Sequence, residues 1–144
     1  MELSIKNRNE TYINILDKLS KARKAAYQVI SELGFASLDE VCINTNKTKN
    51  ELSGRITELK HFGLIKEVSS GVSSRSNNKC TIYSCTSLEE RIMIVNRHYV
   101  KLIDEQKKLE SDFHLKLSKY SLCVIKTRII SIKRKINELS KFAS

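Results

Sequence analysis

Between Lys47 and Arg55 the chain reads Lys-Thr-Lys-Asn-Glu-Leu-Ser-Gly-Arg, and the side chains of Lys47, Thr48, Lys49, Asn50, Ser53 and Arg55 are all hydrogen-bonding groups. Asn and Arg present paired groups that grip adenine and guanine edges in a major groove, while ammonium and hydroxyl groups hold phosphate oxygens. Two further cations, Arg75 and Lys79, belong to a polar stretch, Ser69 to Lys79, that contains glycine and no acid. This is the chemistry of recognition. Turnover would call for other constellations: a glycine loop for phosphates, a His-Glu-x-x-His pair or grouped carboxylates, and none stands in the sequence. No catalytic activity is expected.

Metal and redox chemistry are equally thin. Cys80 and Cys85 have four residues between them, but on a strand they point to opposite faces, and no second pair of ligands stands at suitable spacing. With Cys42 and Cys123 they are too few for a disulfide framework, so the default reading is four thiols in a reducing compartment. His61, His98 and His114 are isolated on helices and read as packing or surface residues. No metal and no cofactor are expected.

The polar cluster needs an element to present it, and the chain marks its helix starts three times. Ser37 and Glu40, Thr48 and Glu51, and Ser87 and Glu90 are each a hydroxyl followed three residues later by a carboxylate, the spacing of a capping box. Before the first box, Ala22, Ala26, Val29, Ile30 and Leu33 recur at helical spacing from Ser20 until Gly34, with a possible backward extension through Tyr12, Leu16 and Leu19. The first box opens a short helix from Leu38 to about Ile43, and Asn44 to Lys47 reads as a turn. The second opens a helix from Lys49 to Phe62 whose apolar stripe is Leu52, Ile56 and Leu59, leaving the polar cluster on the remaining surface. After Gly63, the runs Leu64 to Val68 and Cys80 to Cys85 are the only plausible strands and form a hairpin with a long basic tip.

Helix, short helix, four-residue turn, longer helix with a polar face, then a hairpin is the order of a winged helix-turn-helix. The stretch Thr48 to Ile65, TKNELSGRITELKHFGLI, resembles the recognition helix of winged-helix regulators of the MarR type, and the resemblance covers about Ser20 to Thr86. It implies that the helix starting at Thr48 enters a major groove, that Arg55 contacts DNA and that the hairpin wing touches the adjacent minor groove. Arg75 and Lys79 would then be the wing's contacts, although this wing lacks the acidic residue that usually precedes the family's wing arginine. Gly54, which costs a helix about 1 kcal/mol against alanine, would allow close approach by DNA or by the preceding helix.

After the third box a heptad runs through Leu88, Ile92, Val95, Tyr99, Leu102, Gln106, Leu109 and Phe113, and a second run from Leu122 to Leu139 does not share its phase. One long helix and two helices turning near Ser118 to Ser121 both fit. The seam Leu88, Ile92, Val95, Tyr99, Leu102, Leu109 and Phe113 is read as a dimerisation surface, with ordinary packing against the preceding domain as the alternative. Residues 116–144 carry eight lysines and arginines against Glu138 alone, most of the chain's formal charge of +10. That basic helix is either a solvated packing helix or a surface for phosphates, an anionic membrane or an acidic partner, although its few aromatics, Tyr120 and Phe142, argue against deep insertion.

Composition sets the outer bounds. In 144 residues there are four glycines and no proline, and 40% of residues are hydrophobic, which fits a mostly helical chain with a modest core and argues against many-turned β folds. No run approaches the length of a spanning helix, and the start lacks the apolar core of a signal peptide. The sequence therefore leads us to expect a mostly α fold with a small β-hairpin: a winged helix-turn-helix over residues 1–86, then long coiled-coil-like helices over 87–144. The expected function is a cytoplasmic, homodimeric, sequence-specific regulator on double-stranded DNA, not membrane-bound, with a possible protein partner at the C-terminal helices. The alternatives are a replication or segregation accessory of a mobile element and a winged-helix scaffold for proteins.

Overall fold

A computed structural model describes residues 2–72, 77–113, 115 and 117–142, with side chains from Glu10 onward. The elements in order are α1 (Glu2–Lys18), α2 (Lys21–Leu33), β1 (Ala36–Ser37), α3 (Leu38–Thr45), α4 (Lys49–His61), β2 (Ile65–Val72), β3 (Lys79–Cys85), α5 (Leu88–Asp112) and α6 (Lys119–Ser140). The fold is mostly helical, a winged helix-turn-helix followed by two long C-terminal helices.

Local chemistry accounts for the boundaries. All three capping boxes form: the backbone N–H groups of Ser37, Thr48 and Ser87 donate to the carboxylates of Glu40, Glu51 and Glu90 at 2.7, 2.8 and 2.9 Å. Each hydroxyl in turn accepts from the N–H of its glutamate, so free amides at the helix start are satisfied in both directions. Asn46 ends α3 in the left-handed region (φ 54°), where its N–H reaches the carbonyls of Cys42 and Ile43. Asparagine tolerates that conformation, and it compresses the α3–α4 connection into a sharp turn. At the other end of α4, Gly63 (φ 71°) closes a Schellman arrangement, with Leu64 N–H donating to Leu59 O and Gly63 N–H to Lys60 O, both at 3.0 Å.

The backward extension of the first helix does not occur. The chain breaks at Leu19 and Ser20, where Ser20 is extended (ψ 157°), and Tyr12, Ile15 and Leu16 belong to the separate helix α1. The break lets both helices turn an apolar side to one core, since Ile15, Leu16 and Leu19 are buried with Ala26, Tyr27 and Ile30. Strand β1 was not foreseen. Its two residues pair antiparallel with β3, Ala36 opposite Tyr83 and Ser37 opposite Ile82, giving the sheet order β1-β3-β2. Two residues are too few for a period-two pattern, so only the neighbouring strand defines them. The hairpin itself runs from Ile65 opposite Cys85 to Val72 opposite Lys79, with a bulge at Val68.

Residues 87–142 supply two helices. Ser118 caps α6, its hydroxyl accepting from Ser121 N–H at 3.2 Å, and α6 runs back along α5. Arg128 Nε donates to Glu105 at 2.7 Å and Lys126 lies over the Phe113 ring. Val95 and Leu102 are buried within the chain, in the same hydrophobic cluster as Ile132 and Leu139 of α6. One hydrophobic cluster joins Ile30, Leu52, Leu59 and Ile65 of the winged helix to Val95, Ile132 and Leu139 of the C-terminal helices. Side chains of that size each contribute about 1.5–3 kcal/mol on full burial. The last contact is aromatic, Phe142 stacking on Phe62 with ring centroids 4.6 Å apart.

Candidate nucleic-acid interface

Helix α4 buries Leu52, Ile56 and Leu59 and turns the rest of its circumference outward. At 100° per residue, the line opposite that stripe passes through Asn50, Gly54 and Thr57, all exposed, with Ser53 beside them. The N-terminal turn adds Thr48 and Lys49, exposed, and Lys47, half-buried. Five of the expected contacts, Lys47, Thr48, Lys49, Asn50 and Ser53, thus share one end and one side of the helix. Arg55 differs: it lies on the flank toward α2, with its side chain 37% exposed. Lys79 is exposed where β3 begins, opposite Val72. Arg75 lies outside the described residues.

The electrostatics of this face are more constrained than its sequence suggests. Lys49 Nζ lies 2.7 Å from Oδ1 of Asp39, a carboxylate buried in the first turn of α3. Arg55 Nη1 donates to Glu58 Oε2 at 2.9 Å, and the same oxygen accepts from Arg23 Nε of α2 at 2.7 Å. Lys60 pairs with Glu67 of β2. The Thr48 hydroxyl donates to Glu51, and backbone and hydroxyl donors of Thr48 together hold the Glu51 carboxyl below its usual range. Cations on α4 are therefore held in defined positions by carboxylates rather than swinging free. Sequence reading put Thr57 on the outward surface of this helix without counting it as a contact, and it missed Glu58 and Arg23 altogether. Thr57 was readable as the residue one heptad after Asn50, whereas the Arg23 contact spans 35 residues and leaves no local signal.

Gly54 resolves one of two alternatives. A Cβ built on it would meet nothing within 4 Å, so the preceding helix is not the reason for a glycine there. Gly63 is the contrasting case: positive φ, with a Cβ only 3.0 Å from Arg91 O and 3.2 Å from Ile94 Cβ. That turn lies hard against α5. Beside it, the His61 and His98 rings stack at 4.5 Å, and His98 Nδ1 donates to the His61 carbonyl at 2.7 Å, the tautomer this contact requires. Burial, and after it the His98 ring, lowers the pKa of His61.

Among the described residues no group of three or more His, Cys, Asp or Glu side chains is arranged to hold a metal ion, and no helix is long and apolar enough to cross a membrane. The cysteines are free thiols; Cys42 is buried, and burial pushes the Cys85 thiol up.

No family model matches the chain, and no curated protein matches it. Among solved structures it is similar to the apo form of a doubly substituted Lactococcus lactis ZitR, with a TM-score of 0.39 and 13% sequence identity over 93% of this chain and 96% of that one. The class defined by the fold is the winged helix-turn-helix with an appended helical pair.

Proposed function

We propose that this protein is a sequence-specific, double-stranded-DNA-binding regulator that acts as a homodimer, with α4 as recognition helix and the β2–β3 hairpin as wing. The observation that carries the reading is the exposed row Asn50, Ser53, Gly54 and Thr57, which follows a left-handed asparagine turn and stands opposite the stripe α4 buries. An open glycine in the middle of that row costs helix stability without any packing return, which makes sense on a surface that another backbone must approach. Asn50 and Arg55 would read base edges, Thr48, Lys47 and Lys49 would hold phosphates, and Lys79, with Arg75, would serve the wing. Residues 1–86 would be the DNA-binding unit and 87–144 the dimerising one. Because Val95 and Leu102 are covered within the chain, pairing would fall to the seam residues with surface to spare, Leu88 and Tyr99 above all, with Ile92, Leu109 and Phe113 at the margin. The mechanism is occupancy of a site in DNA, without chemistry and without a cofactor, in the cytoplasm.

Selection from a pool of random duplexes tests it. The intact protein should enrich a near-palindrome with half-sites about 34 Å, or a multiple of that, apart, and the Lys49→Ala, Arg55→Ala double variant should not. Equal, unselective retention by both would remove the reading. A scaffold role draws on a different observation, the apolar side chains Leu115, Tyr120 and Val124 exposed around the start of α6. It predicts a protein partner whose binding is insensitive to salt and to the double substitution. A replication or segregation accessory would share the DNA contacts, and its sites would map to an origin instead of promoters.

A further inference from the structure

Arg55 belongs to a series of contacts that leaves its own helix. Glu58 Oε2 accepts from Arg55 Nη1 on one side and from Arg23 Nε on the other. The Arg55 side chain is 37% exposed and that of Arg23 20%, so the outer guanidinium reaches solvent while the inner one is held against the protein. Behind Arg23 lies the Phe62 ring, 5.0 Å from its guanidinium, and behind Phe62 the stacked ring of Phe142. Both phenylalanines are buried. Contacts thus run without a gap from the end of α6, through α2, to the flank of the recognition helix.

A solvent-exposed arginine with no partner occupies many rotamers, and ordering it on a base edge costs entropy at the moment of binding. One N–H given to Glu58 removes much of that freedom and leaves the remaining donors of the planar fork for a base. The carboxylate has an opposite effect on phosphates, because a negative charge beside the reading face repels every duplex alike. A group that weakens indiscriminate binding while ordering a base-reading side chain works in favour of selectivity. Arg23 makes this arrangement durable, since it holds the Glu58 carboxylate in place from the protein side and is itself pressed on an aromatic face.

We propose that Glu58 is the positioning residue of the reading face: it sets the orientation of Arg55 for base contact, backed by Arg23 and by the Phe62–Phe142 stack. The inference rests on the DNA-binding reading above and names what gives that reading its selectivity. It also makes selectivity depend on the last turn of the chain, although Phe142 would touch no DNA.

The test uses the full chain and the duplex enriched from the random pool, with a scrambled duplex of equal length as reference. Glu58→Gln should lower the ratio of the two affinities about tenfold, while affinity for the scrambled duplex holds or rises about two- to threefold as a negative charge leaves. Arg23→Met should lower the ratio similarly, and Phe142→Leu by about two- to threefold. If Arg23→Met does not fold, Arg23→Lys, which keeps the charge and loses the fork, takes its place. A merely structural role would lower the thermal midpoint and both affinities together. An unchanged ratio in Glu58→Gln and the Arg23 variant overturns the inference. The two failures are distinguishable: if the parent enriches nothing, DNA reading has failed; if Arg55→Ala loses the preference and Glu58→Gln keeps it, only the positioning role has.

Discussion

Helices α4 and α6 are both cationic, and they use their charge differently. On α4, Lys49, Arg55 and Lys60 each face a carboxylate from α3, from the next turn or from β2. On α6, Arg128 pairs with Glu105, and among the described residues Lys119, Lys133 and Arg134 form no ion pair. A count of charges would pick α6 as the nucleic-acid surface. Yet an unpartnered lysine is a mobile point charge that binds any phosphate, whereas a side chain held by a carboxylate has a geometry with which to distinguish bases. On the DNA-binding reading we propose, selectivity would belong with the helix whose charges are tied down, and general attraction with the one whose charges are loose.

Substitutions can break or sharpen that contrast. The largest effect should come from the buried side of α6: Ile132→Ala removes a fully buried side chain and should cost about 2–5 kcal/mol in urea unfolding, while Ile130→Ala, 69% exposed two residues earlier, should stay within about 0.5 kcal/mol. Equal costs would mean that α6 is not packed on α5 as described. Next comes the split between reading and attraction. Arg55→Ala should lose about 1–3 kcal/mol on the enriched duplex and relax one position of the site; Lys119→Ala with Lys133→Ala should reduce the salt slope by about one per lysine that meets a phosphate and leave base preference intact. A change of base preference in the lysine variant would erase the distinction between the helices.

Gly54→Ala sharpens it further, because stability and binding should move in opposite directions. With open space around the new methyl group, unfolding free energy should rise by about 0.5–1 kcal/mol, and DNA affinity should fall if the duplex backbone approaches that point. The smallest effect is the pH response at the junction of α4 with α5. His61 is held below its ordinary value by burial and by His98, so the unfolded chain takes up the proton first. Its contribution to stability is complete above a pH of about 6.5 and declines as the pH falls below that toward the folded value. Thermal midpoints between pH 7.5 and 5.5, with His61→Phe as the non-titrating control, should show a slope in the parent that the variant reduces.

The helix starts were readable because each depends on residues three apart. Ser37, Thr48 and Ser87 carry their own partners, and the αL turn at Asn46 and the stop at Gly63 are equally local. The polar surface of α4 was readable for a similar reason, since its apolar stripe defines what remains outside. Three things were not. The break at Ser20 separates two amphipathic helices whose periodicity runs across it, β1 exists only because β3 lies beside it, and the heptad of α5 shows that a stripe will be covered without saying by what. In this chain α6 covers part of it.

What the sequence by itself determined, then, is whatever is settled within a few residues: the three capped helix starts, the stop at Gly63, the hairpin, the outward face of α4 and the overall excess of positive charge. Only the tertiary structure decided which partners those groups meet. Arg23 reaches Glu58 across 35 residues, Phe142 reaches Phe62 from the far end of the chain, and Val95 and Leu102 join one buried cluster with Ile132 and Leu139 of α6. The physical reason is one of range. Capping and periodicity are energies of neighbours along the backbone, whereas ion pairs and core contacts between helices depend on a packing geometry that many distant residues set together.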